Sequence, residues 1–156
     1  MDMNMHPRGF TLIELLVVIA IIGILSAVVL ASLNTARGKG SDAAIKQDLN
    51  SIRNNAEIYY LTNGGYGTPL SCPEPTLGYN CGSNAGSIES IFKDPEVTKA
   101  IYGAYYANGN IILSCCSDGN NYAVSSPFKS DSAKHWCVDS SGTSQEITAP
   151  VAGTSC

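Results

Sequence analysis

Few residues in this chain of 156 can do chemistry, and they are unevenly placed. Its six cysteines are Cys72, Cys81, Cys115, Cys116, Cys137 and Cys156. Six in a chain this size point to disulfides and an oxidising compartment. Cys115 and Cys116 are neighbours, and successive strand side chains point to opposite faces. The two are therefore expected to bond different partners. Cys137 and Cys156 are the candidates, which pairs Cys72 with Cys81. Six cysteines allow 15 pairings, and a redox-active Cys115–Cys116 bond remains open. No CxxC is present, and a zinc site needs Cys or His clustered at short spacing. His135 reads as a strand residue, so no metal and no cofactor is expected. Asp118, Asp131 and Asp139 lie near turns, where Asp bonds the local backbone; their spacing matches no calcium loop. There is no Gly-x-Ser-x-Gly, His-Glu-x-x-His or phosphate loop, so no enzyme is expected. Tyr59, Tyr60, Tyr102, Tyr105, Tyr106 and Tyr122 read as core and interface residues.

One charge stands apart. The 44% hydrophobic share is an average over two materials. From Phe10 to Ala36, 20 of 27 residues are hydrophobic; from Arg37 onward, 46 of 120. Leu15 to Ala36 carries no charge, and about 20 apolar residues suffice to cross a bilayer. The run is apolar on every side, as a lipid-exposed helix requires. Glu14 lies inside it, where a carboxylate costs roughly 2.5 kcal/mol or more and is usually functional. A cleaved secretory signal ending near Val29-Leu30-Ala31, or a plain anchor, would explain the run alone. Neither explains Glu14, nor the very short charged region from Met1 to Gly9. The net charge of −4 excludes a basic nucleic-acid binder. The apolar content excludes a disordered acidic tail.

The segment Gly9-Phe10-Thr11-Leu12-Ile13-Glu14-Leu15-Leu16, continued by Val17 to Leu25, closely resembles the N-terminus of type IV pilins and pseudopilins. The resemblance is strong over residues 8–36 and looser through Tyr66. It implies a leader peptide of residues 1–9, cut between Gly9 and Phe10 by a membrane prepilin peptidase. It also implies N-methylation of Phe10 and a mature chain from Phe10 to Cys156. It gives Glu14 an assembly role, pairing with the terminal amine of a neighbouring subunit. An ammonium and a carboxylate, each costly in lipid, neutralise one another there. One departure is that many pilins carry proline where this chain has Ala31. No proline stands between Arg8 and Pro69, which predicts a straighter helix. Arg37 and Lys39 after the segment do not favour a cytoplasmic N-terminus by charge. The cysteines do, since all six follow the segment and would face an oxidising side.

These residues need positioning. One helix is expected from Phe10 to about Leu61, with Asn34 to Gly40 as a break or a join. Ile45, Leu49, Ile52, Ala56 and Tyr59 form an amphipathic stripe, Ser41 or Asp42 a cap, and Asn63-Gly64-Gly65 an end. Leu61 to Gly67 resembles the helix exit of pilins. Thr68 to Ser87 reads as a surface loop. Asp94-Pro95-Glu96 starts a short helix to Ile101. Strands follow at Tyr102–Ala107, Ile111–Cys116, Tyr122–Ser126 and His135–Asp139, with Asn108-Gly109 as a hairpin turn. The tail from Thr143 shows no firm pattern. The fold class is α+β and pilin-like: a long N-terminal helix, its lower half transmembrane, packed on a small antiparallel β-sheet head. The expected divisions are residues 1–9, 10–36, 37–63 and 64–156.

The expected function is a structural subunit of a type IV pilus, polymerised through the helix. The alternatives are a pseudopilin of a type II secretion system and a membrane-anchored periplasmic binding protein or enzyme. Expected partners are copies of itself and related pilins, prepilin peptidase, an inner-membrane assembly platform and, before assembly, the lipid bilayer. No nucleic-acid site is expected. The head lies outside the cytoplasm, and the assembled fibre is extracellular.

Overall fold

A computed structural model describes residues 10–70, 72, 81 and 90–156. The expected leader, and the expected loop apart from residues 68–70, Cys72 and Cys81, lie outside the described residues. The chain divides into two compact units, one ending at Arg37 and the other beginning at Gly38.

Helix α1 runs over Leu12–Asn63, 52 residues. Asn34 to Gly40 does not break it, although Gly38 and Gly40 cost about 1 kcal/mol each relative to alanine. Extending an existing helix avoids the cost of a second nucleus. Ser41 and Asp42 are therefore interior residues and cap nothing, contrary to expectation. The stripe holds: Ile45, Leu49, Ile52 and Ala56 are wholly buried, and Tyr59 packs against their cluster. At the end, Asn63 Nδ2 donates to the Tyr59 carbonyl at 2.9 Å. Gly64, at φ 76°, donates to the Tyr60 carbonyl at 2.7 Å. A left-handed glycine closes the last turn without a Cβ clash.

Helix α2 spans Pro95–Ala107, after a 3-10 turn at Ile91–Lys93. It starts as expected. Asp94 accepts from the Glu96 and Val97 N–H groups at 3.0 and 3.1 Å, and Pro95 needs no donor in the first turn. It ends later than expected, so Tyr102–Ala107 is helix and not strand. Val97, Ala100, Ile101 and Ala104 bury one helical face. That packing overrides the strand preference of the local tyrosines. Asn108-Gly109 is accordingly a helix end and not a hairpin. The Asn108 N–H donates to Ala104, and Gly109 takes φ 93°.

Four strands form an antiparallel meander in the order β1 (Ser114–Ser117), β2 (Tyr122–Pro127), β3 (His135–Asp139), β4 (Ser144–Ile147). Cys115 lies opposite Val124, and Val124 opposite Val138. Strand β4 falls in the tail without a pattern, because Ser-Gln-Glu-Ile has no alternation of apolar residues to mark it. The sheet is covered on both sides. Cys115, Tyr122, Val124 and Val138 join the α1 stripe and the buried face of α2. Cys116, Ala123 and Cys137 form a second cluster with Val151. Strand β2 is buried at all six positions for this reason.

Candidate functional site: the amino-terminal segment and the cross-linked head

Thr11 stands just before α1, and Glu14 lies in its first turn. The Thr11 N–H and hydroxyl both donate to Glu14 Oε2 at 2.8 Å. The Glu14 N–H returns a bond to Thr11 Oγ1 at 3.3 Å. Such a reciprocal pair is a capping box: it satisfies amide donors that a helix start leaves open. A carboxylate also suits the positive end of the helix dipole. Sequence reading left Thr11 unassigned, although Thr-x-x-Glu ahead of an apolar run is the signal for this box. The arrangement holds one carboxylate at the rim of an apolar rod, four residues from Phe10. Gly9 lies outside the described residues.

The rod itself is uncovered. Every large hydrophobic side chain from Phe10 to Leu33 is between 42% and 88% exposed. By composition and length, α1 is long and apolar enough to cross a membrane. Surface of this kind ends against lipid or against other protein.

In the head, α1 is seated by a polar ladder that sequence reading also left out. Asp42 accepts from the Lys129 and Ser130 N–H groups at 2.8 and 3.1 Å, and from the Ser130 hydroxyl. Lys46 lies 4.5 Å from the Trp136 ring centroid and 5.2 Å from that of Phe128, a cation–π contact. Asn50 and Arg53 both bond the Ser144 hydroxyl, and Arg53 also bonds the Gly142 carbonyl at 3.1 Å. The spacing 42, 46, 50, 53 is one helix face beside the apolar stripe, and that periodicity was the available signal.

All six cysteines are paired, but not as expected. The bonds are Cys72–Cys116, Cys81–Cys115 and Cys137–Cys156. Cys115 and Cys116 do take different partners on opposite faces, which removes the vicinal bond. Cys137 serves neither of them. It sits on β3, two strands away from β1. That is roughly 9–10 Å at the usual strand spacing, beyond the reach of about 7 Å between bridged Cα atoms. Nor does Cys72 pair with Cys81. Leu70 and Ser117 exchange backbone bonds at 2.7 and 3.0 Å, which lays Cys72 beside Cys116. Among the described residues no group of three His, Cys, Asp or Glu side chains could hold a metal ion. Asp118 and Asp131 bond nearby turn amides.

Asp139 is almost wholly buried. Its carboxylate accepts from the Ser141 N–H and hydroxyl, the Thr143 N–H and the Cys156 N–H, at 2.6–3.1 Å. Burial pushes this carboxyl up, but the four donors together outweigh it and hold it below its ordinary value. His135 is also buried, its Nδ1 without a partner, and burial lowers its imidazole.

The profile of the prokaryotic N-terminal methylation motif matches residues 4–30. The type II secretion system core protein G of Aeromonas hydrophila is 33% identical over 101 residues, covering 58% of this chain and 68% of the relative. The chain belongs to the type IV pilin family, pseudopilins included. Two other members also match. The type IV wide pilus major component PilA4 of Thermus thermophilus is 46% identical over 61 residues, covering 39% of this chain and 47% of PilA4. The type IV major pilin protein PilE1 of Neisseria gonorrhoeae is 31% identical over 159 residues, covering 97% of this pilin-family chain and 64% of PilE1. The chain thus spans about half of PilA4 and under two thirds of PilE1. No solved structure matches it significantly.

Proposed function

We propose that this chain is a structural subunit of a type IV pilus, anchored in the inner membrane by α1 until it enters the filament. The observation that carries the reading is the uncovered apolar rod of Phe10 to Leu33 with one carboxylate, Glu14, at its rim. Prepilin peptidase cuts between Gly9 and Phe10, and the new amine of Phe10 is methylated. The rod packs against the rods of other copies and related pilins, which removes it from lipid. Glu14 then pairs with the terminal amine of a neighbour, exchanging or sharing its bonds to Thr11. An inner-membrane platform drives the addition, with the cross-linked head outside the cytoplasm. The two pilus subunits PilA4 and PilE1 support this reading.

The second reading, a pseudopilin of a type II secretion system, is favoured by the relative from Aeromonas hydrophila, whose length the chain covers best of the three. Both readings share the cleavage. N-terminal sequencing of the purified mature protein should find methyl-phenylalanine at Phe10; an intact Met1 would end both. Filaments sheared from the cell surface should contain this chain; their absence, with intact secretion lost on deletion, selects the pseudopilin. Glu14→Ala should leave the head folded and the chain in the membrane while abolishing filaments. Normal filaments from that variant would remove the assembly role of Glu14.

A further inference from the structure

The disulfide connectivity sets a problem for the chain as it is oxidised. In sequence order the cysteines are 72, 81, 115, 116, 137, 156. Cys137–Cys156 closes a loop of its own, with neither of the other bonds inside it or around it. The other two bonds are nested: Cys81–Cys115, with a separation of 34 residues, lies inside Cys72–Cys116, with a separation of 44. Cys72 and Cys81 are 9 residues apart. In an unfolded chain the closure probability falls roughly as the three-halves power of loop length. The 72–81 loop therefore closes about 7-fold more readily than 81–115 and about 11-fold more readily than 72–116.

A second ambiguity compounds the first. Exchanging partners, to 72–115 and 81–116, changes each separation by a single residue, so loop entropy cannot choose between the native and the exchanged set. Only the strand can. Once β1 forms, Cys115 points into the cluster with the α1 stripe and Cys116 into the cluster with Val151. That distinction is absent until β1 has paired with β2 and with Leu70. Oxidation ahead of folding thus favours the wrong bond, and the information that corrects it arrives late.

We propose that the native pairing is reached by rearrangement of a non-native Cys72–Cys81 bond, so that maturation of this chain calls on a thiol–disulfide isomerase. In the first step a disulfide oxidant takes two electrons and two protons from the Cys72 and Cys81 thiols and leaves as a dithiol. The isomerase thiolate then attacks Cys72 Sγ, forming a mixed disulfide and releasing the Cys81 thiolate. The Cys116 thiolate attacks the same Sγ, forms Cys72–Cys116 and releases the isomerase unchanged. A second two-electron oxidation joins Cys81 to Cys115, now facing each other across the folded edge of β1.

The test is oxidative refolding of the full chain in detergent micelles, with free thiols trapped by alkylation at intervals and bonds mapped by mass spectrometry. With oxidised glutathione alone, the earliest one-disulfide species outside Cys137–Cys156 should be dominated by Cys72–Cys81. Adding a purified thiol–disulfide isomerase should speed appearance of the native set by roughly 5-fold or more, in keeping with the loop-closure bias. Two paired variants remove the nesting: Cys72→Ala with Cys116→Ala, and Cys81→Ala with Cys115→Ala. Each leaves only consecutive bonds and should gain less than about 2-fold from the isomerase. Native Cys72–Cys116 or Cys81–Cys115 as the first trapped bond would overturn the proposal, and so would an equal gain in the variants. Should the variants fail to fold, the trapping series on the unaltered chain decides alone.

Discussion

Asp139 and His135 lie four residues apart, at the two ends of β3 and on one face of it, and respond to acid in the same sense. Asp139 keeps four donors satisfied with one carboxylate. Asp139→Ala would strand them and should cost about 3 kcal/mol in urea unfolding, whereas Asp139→Asn, which keeps an acceptor oxygen, should cost less. Because its folded carboxyl titrates below the ordinary 3.8, its stabilisation is present at neutral pH and is lost as pH falls through that lower value. His135 acts earlier. The unfolded imidazole takes a proton from about its ordinary 6.5 downward, while the buried one resists it. Stability should therefore decline as pH falls below 6.5, and decline again as Asp139 titrates. Comparing melting temperatures at about pH 7, 5 and 3 checks this: His135→Leu should lose the first decline and keep the second. Glu14 was legible as an anomaly because a charge in a lipid-grade run has no bland explanation. Its partner Thr11 was not, because a threonine among hydrophobic residues draws no notice until its position at a helix start is known.

The elements divide by how their information is stored. Helix α1 was legible because its stripe repeats at the helical period for four turns and depends on nothing distant. Helix α2 was legible only at its start, where Asp94 and Pro95 act locally. Its last two turns hold tyrosines with strand preference, and only burial of Ala104 against the core settles them as helix. Strand β4 and the disulfide map depend on strand order, which no local window contains. Helix packing offers a test. A Cβ added at Gly103 would stand 2.6 Å from Asp48 Oδ2 and 2.9 Å from its Cγ. Gly103 therefore permits the close approach of α2 to α1. The usual gain of about 1 kcal/mol for Gly→Ala inside a helix should be cancelled or reversed, so Gly103→Ala should not stabilise the head. Asp48 is a half-buried carboxylate whose pKa burial raises, so it is better tolerated protonated. Asp48→Ala should recover the gain in combination with Gly103→Ala, and a double-mutant cycle by urea unfolding would show coupling between the two.

At the scale of the molecule, the sequence describes two materials, and the described residues bear that out: an uncovered apolar rod and a head with two buried clusters. The head owes its closure to both ends of the chain's second unit, α1 on one side of the sheet and Val151 with Cys156 on the other. The nested bonds of Cys72 and Cys81 to opposite faces of one short strand also have a mechanical meaning. Tension on a head passes through sulfur and bypasses the backbone between Cys72 and Cys116. Those 44 residues, worth about 150 Å of extended contour, cannot pay out. The 19 residues closed by Cys137–Cys156 lock away roughly 65 Å more. Pulled singly in a force spectrometer, the oxidised head should lengthen far less than its residue count suggests, and added dithiothreitol should release these two increments. A fibre of such heads would meet a sudden pull as a cord of fixed length, with little slack to give.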